Sequence, residues 1–314
     1  MNQNFSQLLL DGEGGIAKDG SGTDPSWTHL NFESSQGIEW IKKQANISDH
    51  SMELLLSGDT RPRCLIDDDG SINLCLRGIN LNPNSSPEDM ISLRLWLKGN
   101  TFISCNRRES QSINRLYDKL NKRQGPKTAD ELLLGLIEEL ASISESFMET
   151  LESELDLQED QIAMAKFEVF NPKMSRLRRQ IATIKRFLTP QKEALERLYR
   201  TKNSSFSEHF YESLYVQLDK FILMLENMDL LRERIIVLQE QFMGYISHEQ
   251  NSRLYLLAII SAIFLPLTFL SGLLGMNVGG LPGLENTNAF WIVSGFCLVV
   301  AVGLLIWFKR KKWF

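Results

Sequence analysis

The sequence predicts an α+β protein in which an N-terminal α/β domain is followed by a long helical stalk and two C-terminal transmembrane helices. Three features of the chain predict this class. Short β-type runs separated by turns fill the first 125 of the 314 residues, and a helical pattern then continues almost without a break to residue 274. Two uncharged runs of about twenty residues stand near the C-terminus, and this length matches the hydrocarbon core of a bilayer.

The first domain, residues 1–125, alternates β-rich runs with two helical patterns. β-branched and aromatic residues bounded by turn signals predict strands. These runs cover residues 27–32, 63–66, 72–77, 91–97 and 101–105. Helical periodicity predicts helices at about 34–44 and 49–57, so we expect an α/β domain.

A helical hairpin is predicted for residues 126–203. Gly125-Pro126 breaks the chain, and Thr128 with Glu131 has the spacing of a capping box that starts a helix. The helical pattern is interrupted near Asn171-Pro172 and again just before the stalk, which we expect to begin at about residue 204.

The two helices of this hairpin carry opposite charges. The first is rich in glutamate, whereas the second carries six basic side chains: Lys173, Arg176, Arg178, Arg179, Lys185 and Arg186. We favour charge pairing between the two helices, because oppositely charged neighbours stabilise each other. The alternative is that the basic residues form a regulatory surface.

The uncharged runs at 254–274 and 289–308 predict two transmembrane helices joined by an outer loop at 275–288. Arg253 precedes the first run and a basic tail, 309–314, follows the second, whereas the loop carries only Glu285 as a charged residue. Because positive residues stay on the cytoplasmic side, both termini should be cytoplasmic. We therefore expect a multi-pass protein of the cytoplasmic (inner) membrane, in contact with lipid.

Composition and residue spacing argue against several functions. The formal net charge of −5 leaves no broad basic surface for nucleic acid. The four cysteines form no C-x-x-C pair, and the four histidines have no zinc-enzyme spacing. No nucleophile, phosphate loop or cluster of metal ligands emerges, so we expect neither enzymatic activity nor a bound cofactor.

Two lines of residues run along the predicted stalk helix at 204–274. One is an apolar packing stripe: Leu214, Leu218, Phe221, Leu225, Met228, Ile235, Phe242 and Ile246. The other is acidic and repeats every seven residues: Glu212, Asp219, Glu226, Glu233 and Glu240. Its alternate steps are filled by Val216, Leu223, Leu230, Val237 and Gly244. Residues spaced by seven stay on one face of a helix only when the helix supercoils in a bundle. The acidic line then either faces the axis of a pore or forms a solvated outer face.

The same 3-4 spacing continues into the first transmembrane run. It passes through Ser247, Asn251, Leu254, Ala258, Ser261, Leu265, Thr268 and Gly272. Ser261 and Thr268 are two of the few polar side chains of this run, and a hydroxyl group is better placed against water or protein than against lipid. We therefore expect several copies to form a pore that this line faces, with the acidic line concentrating cations at its inner end.

The first transmembrane run ends in the pattern P-L-T-F-x-x-G-x-x-G-M-N, from Pro266 to Asn277. In this topology the pattern resembles that of the CorA family of divalent-cation transporters. The continuation to Gly283 and the Phe-Cys pair at 296–297 are more similar to the ZntB zinc branch than to the magnesium branch. Magnesium-type members usually have an aromatic residue before the motif, where this chain has Leu274.

The resemblance implies a funnel-shaped homopentamer with the long helices around the pore, and Zn²⁺ as the cargo of a proton-coupled uptake. It implies a hydrated cation at the outer mouth, on a ring of Asn277 from the motif Gly275, Met276, Asn277. The implied inner lining is Thr268, Leu265, Leu257, Leu254 and Asn251.

A divalent ion holds its water tightly, so the carboxamides of Asn277 can accept hydrogen bonds from the bound waters instead of stripping them. Thr268 hydroxyls offer a second polar step, and the leucines of the lining are candidates for constrictions that close by dewetting. Neither span holds an acidic residue, a basic residue or a histidine, so no proton carrier is assigned. His248 and Glu285 also receive no role.

Two alternatives differ from zinc transport, one in the ion that is carried and the other in the class of protein. A channel of the same architecture would carry Mg²⁺ or Co²⁺. A membrane-tethered adaptor would bind a partner through its cytoplasmic domain and would move no ion.

Overall fold

A computed structural model of the chain describes residues 5–18, 24–58, 60–163, 170–202, 206–276 and 287–310. These residues belong to two compact units, Met1–Gln239 and Glu240–Phe314. The six strands described lie in the first unit.

A six-stranded mixed sheet forms the centre of the first unit. Its strands are β1 (Phe5–Leu9), β2 (Ser26–Asn31), β3 (Arg63–Ile66), β4 (Ile72–Gly78), β5 (Ile91–Lys98) and β6 (Thr101–Asn106). Their order is β1-β2-β6-β5-β4-β3, and neighbours are antiparallel except for the parallel pair of β2 and β6. The five strands predicted from the sequence are present within one residue at either end, and β1 is an additional strand at the sheet edge.

Helices α1 (Ser35–Lys42) and α2 (Asp49–Leu56) cover one face of the sheet. Ser34 and Ser48 cap these helices, and each hydroxyl accepts a hydrogen bond from a backbone N–H of the first turn. The buried cluster that joins them to the sheet consists of Leu30, Ile41, Ile47, Leu55, Trp96, Ile103 and Cys105.

Helix α4 (Ala129–Ala163) packs on the opposite face at Gly78. A Cβ atom at Gly78 would lie 2.8 Å from Cδ2 of Leu140, so the missing side chain allows this close approach. Gly78 pairs with Ile91, and alternation along β5 places Ile91 on the face opposite to Trp96. The sheet therefore has helices on both faces.

Helix α3 (Gln111–Asn121) was not predicted from the sequence, although its buried residues Ile113, Leu116 and Leu120 have helical spacing. It is joined to α4 by ion pairs as well as by packing. The carboxylate of Glu139, which is buried, contacts Lys119 at 2.6 Å and an arginine of the same helix at 3.7 Å.

The start of α4 has one of the two capping-box hydrogen bonds that the sequence predicts, and the second comes from Lys127 instead of Thr128. The Thr128 hydroxyl accepts a hydrogen bond from the N–H of Glu131 at 3.4 Å, and the Glu131 carboxylate accepts one from the N–H of Lys127 at 2.7 Å. The next helix, α5, spans Phe170–Arg200. Pro172 therefore lies in its first turn, where the absent N–H has no helical partner to lose.

The expected charge pairing between α4 and α5 is wrong for the residues that the structure describes. Carboxylates of α4 pair with the stalk helix instead: Arg234 contacts Asp156 at 2.6 Å and Glu159 at 2.9 Å, and Lys220 contacts Glu145 at 3.5 Å. Of the six basic residues of α5, Lys185 pairs with an aspartate of the stalk helix. The acidic face of α4 is thus neutralised by another helix, which leaves the arginines of α5 without these partners.

The stalk helix α6 spans Glu208–Leu274, and Ser207 caps it by accepting a hydrogen bond from the N–H of Phe210 at 3.1 Å. Its buried apolar residues after the first turn follow an unbroken 3-4 spacing: Leu214, Leu218, Phe221, Met224, Met228, Leu231, Ile235, Leu238 and Phe242. The predicted stripe lacked Met224, Leu231 and Leu238. Leu225 and Ile246, which it included, are only half-buried.

The second unit contains the C-terminal part of α6 and the helix α7 (Ala289–Arg310). Both helices are long and apolar enough to cross a membrane. Their apolar stretches are almost entirely exposed in the single chain, which is the property of a surface that lipid or other protein chains cover.

Candidate ion pathway

The acidic line of α6 lies on its exposed side. The side chains of Glu212, Asp219, Glu226, Glu233 and Glu240 are all exposed. Within the described residues, none of these five carboxylates forms an ion pair with a basic side chain. Their charges therefore add to one another along the helix instead of being cancelled locally.

Large apolar side chains alternate with these acids on the same side of the helix. Their exposed fractions range from 49% to 63% in Val216, Leu223, Leu230 and Val237. A solvated outer face would not expose a regular series of valine and leucine side chains. The alternation of acidic and apolar residues at 3-4 spacing is the pattern of a helix that packs against other helices.

In the second unit, α6 has one covered face. Ile259 is buried, and Ile263, Leu267 and Leu270 are half-buried on the same side. A second group of residues lies about 120° to 180° around the helix from Ile259, at 100° per residue. This line, which the sequence predicts to face a pore, contains Leu254, Leu257, Ser261, Leu265 and Thr268. These residues and Asn251, about 80° from Ile259, are exposed in the single chain.

Two hydroxyl groups near this line donate their hydrogen bonds inside the helix. Ser261 Oγ donates to the carbonyl oxygen of Leu257 at 2.9 Å, and Ser271 Oγ donates to the carbonyl oxygen of Thr268 at 3.1 Å. A hydroxyl oxygen also has two lone pairs that accept hydrogen bonds. Because its proton is held by the helix, Ser261 presents an acceptor, the group that the water shell of a cation requires.

The end of α6 requires glycine at position 275. The N–H of Gly275 donates to the carbonyl oxygen of Ser271 at 2.9 Å, and a Cβ atom on Gly275 would lie 2.9 Å from that same oxygen. Met276, the next residue of the motif, is exposed. The predicted cation ring at Asn277 and the loop residue Glu285 lie outside the described residues.

The described residues contain no group of three or more His, Cys, Asp and Glu side chains that could hold a metal ion. Near the start of the apolar stretch, His248 is exposed and Arg253 pairs with Glu249 at 2.5 Å. The described part of the candidate pathway therefore presents hydroxyl and apolar groups, which suit passage of a hydrated ion better than tight coordination of a bare one.

Ser271 was not predicted as a functional residue. Its hydroxyl donates to the Thr268 carbonyl oxygen, and its own carbonyl oxygen accepts from the N–H of Gly275 at the turn that ends the helix. The signal was available, because a serine three residues after Thr268 can bond back to its carbonyl.

Residues 22–310 match the family described as CorA-like Mg²⁺ transporter protein. The chain belongs to the CorA family. This confirms the resemblance that the P-L-T-F-x-x-G-x-x-G-M-N pattern indicated.

Relatives in this family carry transport functions. The divalent cation transporter CmaX of Pseudomonas aeruginosa is 34% identical over 291 residues, covering 91% of this chain and 87% of the relative. The zinc transport protein ZntB of Pectobacterium carotovorum subsp. carotovorum is 28% identical over 312 residues, covering 97% and 94%.

Solved structures agree with the predicted fold class. The structure of the full-length CmaX protein matches with a TM-score of 0.85 at 32% identity, covering 100% of this chain and 99% of that one. The CorA magnesium transporter of Methanocaldococcus jannaschii has the same fold, with a TM-score of 0.87 at 17% identity and complete coverage of both chains. This CorA-family chain is a divalent-cation transporter with the sheet domain, long helix and C-terminal apolar helix of CorA-type structures.

Proposed function

We propose that this CorA-family protein moves Zn²⁺ across the cytoplasmic membrane through a homopentameric pore lined by α6, in an uptake that is coupled to protons. The observation that carries the proposal is the exposed line of α6 with its 3-4 spacing. It presents acidic and valine or leucine side chains in the N-terminal part of α6, then Ser261, Leu265 and Thr268.

Assembly explains why this line is exposed in the single chain. A helix that leaves Leu223 and Leu230 more than half exposed gains stability when other copies cover these side chains. Repeating the line about a symmetry axis would turn each acidic position into a ring of carboxylates. The symmetric ring is the arrangement in which the same residues serve both assembly and conduction.

Within such a pore the rings would act in sequence on a hydrated cation. Carboxylates from Glu212 to Glu240 would raise the local concentration of cations. Rings of Leu254, Leu257 and Leu265 would close the path by excluding water when narrow. Ser261 and Thr268 would supply oxygen acceptors between and beyond these leucines, and Asn277 carboxamides would bind the water shell at the outer end.

Zinc is the cargo we favour because of the motif region. Leu274 occupies the position where magnesium-type members usually have an aromatic residue, and the ZntB relative aligns over almost the whole chain. Magnesium or cobalt is the second candidate, since the matched family is described by Mg²⁺ transport.

The basic residues that flank the apolar helices support an orientation with both termini in the cytoplasm. Arg253 lies just before the first apolar stretch, and Lys309 and Arg310 end α7. Positive side chains next to transmembrane helices favour the cytoplasmic side.

A flux assay with the purified protein in proteoliposomes tests the proposal. We expect uptake of Zn²⁺ that increases when an inward proton gradient is imposed, with smaller uptake of Mg²⁺ and Co²⁺ and none in protein-free vesicles. Flux of Mg²⁺ without an effect of the proton gradient would instead support the magnesium channel. A folded oligomer that moves none of the three ions would contradict transport and favour the membrane-tethered adaptor.

A further inference from the structure

A cavity of about 600 Å³ opens in the first unit, between helix α5 and the ends of strands β4, β5 and β6. It lies outside α6 and is not used in the transport proposal. Five arginines line it: Arg77, Arg94, Arg107, Arg108 and Arg186. Arginine side chains rarely converge in this number without an anionic partner, because their like charges repel each other.

Two of these arginines are fixed in the wall by the fold. Arg77 donates from Nη1 to the carbonyl oxygen of Met90 at 2.6 Å and from Nε to that of Thr60 at 3.0 Å, and its guanidinium lies 4.3 Å from the ring centroid of Phe187. Arg94 is buried and donates from Nη1 to the carbonyl oxygen of Leu55 at 2.8 Å. Its guanidinium lies 3.7 Å from the ring centroid of a second phenylalanine of the wall. These contacts hold two positive charges in place whether or not a ligand is bound.

Three carboxylates also line the cavity, so its formal charge is +2. Two of them are already engaged: Glu33 pairs with Arg107 at 3.1 Å, and Glu88 accepts a hydrogen bond from Gln180 at 3.1 Å. The third, Asp89, is exposed. The carboxylates therefore neutralise part of the positive charge and leave an excess.

The remaining arginines supply that excess at the mouth of the cavity. Arg108 and Arg186 are exposed, and within the described part of the chain neither forms an ion pair. Arg176 and Arg179 are also exposed. They lie on the same face of α5 as Thr183 and Arg186, because these four residues follow a 3-4 spacing, and Thr183 lines the cavity. The α5 arginines that do not pair with α4 thus extend the basic surface along the helix.

We propose that this arginine-lined cavity binds a small molecule that carries a phosphate group and has the size of a nucleotide. The planar guanidinium fork matches phosphate oxygens with paired hydrogen bonds, which a single lysine ammonium cannot do. A volume of about 600 Å³ is that of a ligand site for an organic molecule and far exceeds the needs of a single inorganic anion. Arg108 and Arg186 contact the phosphate, while Arg77 and Arg94 supply fixed positive charge behind it.

Calorimetric titration of the full-length protein in detergent, freed of divalent cations with a chelator, tests this site. The probes are adenosine 5′-monophosphate, inorganic phosphate and adenosine. We expect the nucleotide to bind, inorganic phosphate to bind at least tenfold more weakly and adenosine not to bind. Arg108→Ala and Arg186→Ala should each weaken nucleotide binding about tenfold, since a hydrogen bond between charged groups is lost.

The matched control is Arg178→Ala. Arg178 is an exposed arginine of the same helix, but it lies about 140° around α5 from Thr183 and should leave nucleotide affinity unchanged. Glu88→Gln should tighten binding, because it removes a negative charge and keeps an oxygen that can accept from Gln180. A misfolded variant cannot gain affinity, so this result separates recognition from damage to the fold.

Absence of nucleotide binding would overturn the proposal, and so would affinity that is the same in all four variants. Inorganic phosphate that binds as tightly as the nucleotide would overturn the assignment of an organic ligand. Because binding is measured without ion flux, none of these outcomes depends on which cation the protein carries.

Discussion

At the scale of single residues, Gly275 has too little room for a Cβ atom at the end of α6. Gly275→Ala should lower divalent-cation flux about tenfold, because the new Cβ atom would lie 2.9 Å from the Ser271 carbonyl oxygen and the turn leading to Asn277 must shift. Flux of the same ion into proteoliposomes is the measurement. Gly295→Ala is the control, since a Cβ atom there meets no atom within 4 Å. Equal flux in both variants would contradict this account of the helix end.

A second prediction concerns Asn277 and rests on the sequence motif. Asn277→Ala should abolish or strongly reduce transport and leave assembly intact, because its carboxamide is the only polar side chain of the three motif residues. Flux and oligomer mass are measured on the same preparation. Asn286→Ala removes another carboxamide of the same loop and should have little effect. Wild-type flux from a well-folded Asn277→Ala protein would remove this residue from the mechanism.

At the scale of elements, the acidic line of α6 makes an electrostatic prediction. Changing Glu226, Glu233 and Glu240 together to glutamine should lower cation uptake most at low ionic strength, because salt screens the attraction that these exposed carboxylates exert. The control changes three exposed acids elsewhere by the same charge: Glu53→Gln, Glu149→Gln and Asp160→Asn. A loss of uptake that does not depend on salt would assign the line a structural role.

The membrane half of α6 makes a geometric prediction that single cysteines can test. Cysteines at one set of positions should block flux when they react with a small water-soluble thiol reagent: Asn251, Leu254, Ala258, Ser261, Leu265 and Thr268. Cysteines at Ile260 and Leu267 should be largely silent, because these positions are rotated away from the line, whereas Phe264 lies only about 20° around the helix from Leu257 and should give an intermediate effect. Since Ile260 and Phe264 are also exposed in the single chain, block of flux discriminates better than reactivity.

The native cysteines hardly disturb this experiment. Burial raises the pKa of Cys64 and of Cys105 to about 12, and Cys75 is also buried, so their thiols stay protonated and unreactive near neutral pH. Cys297 in α7 is partly exposed and is replaced first. Block that follows no helical period, or that peaks at Ile260 and Leu267, would contradict the proposed lining.

Much of this architecture could be predicted because the sequence pattern is strong where one face of an element is buried. The buried stripe of α6 from Leu214 to Phe242 is of this kind, although Met224, Leu231 and Leu238 were missed. The five strands were instead predicted from continuous β-type runs, because helices cover both faces of the sheet. Strand β1 escaped prediction because it is a five-residue edge strand whose side chains are mostly half-buried, so its pattern is weak. The missed helix α3 is short, and its three apolar positions are embedded in polar residues.

The ion pairs of α4 and the arginine-lined cavity could not be predicted, because both depend on contacts between segments that are distant in the sequence. Residues of α4 could pair with either neighbouring helix, and only the packed structure shows that Arg234 takes Asp156 and Glu159. Arg77 and Arg94 lie inside mostly apolar strands, which indicates that other groups of the fold satisfy their hydrogen-bonding capacity. The sequence alone does not show that the segments around Phe187 and Arg108 line the same cavity.

At the scale of the whole molecule, the exposed apolar positions of α6 predict self-association. In the proposed pentamer, Leu230→Glu should break the assembly, because it would place five further charges where leucine side chains meet. The mass of the detergent-purified protein is the measurement, with five times the 36.0 kDa chain mass expected for the wild type. Leu157→Glu is the control, since this leucine of α4 is 60% exposed against 63% for Leu230. Equal masses for both variants would show that this face does not hold the copies together.

The apolar stretches at 254–274 and 289–308 contain no charged side chain and no histidine, and this has an energetic consequence for transport. No fixed charge in these helices travels with the ion or offsets it, so a divalent cation carries its full charge through the membrane field. Each elementary charge gains about 2.3 kcal/mol per 100 mV, so two charges gain about 4.6 kcal/mol. Transport should therefore be electrogenic, and an inside-negative voltage would draw the ion inward even without a concentration gradient.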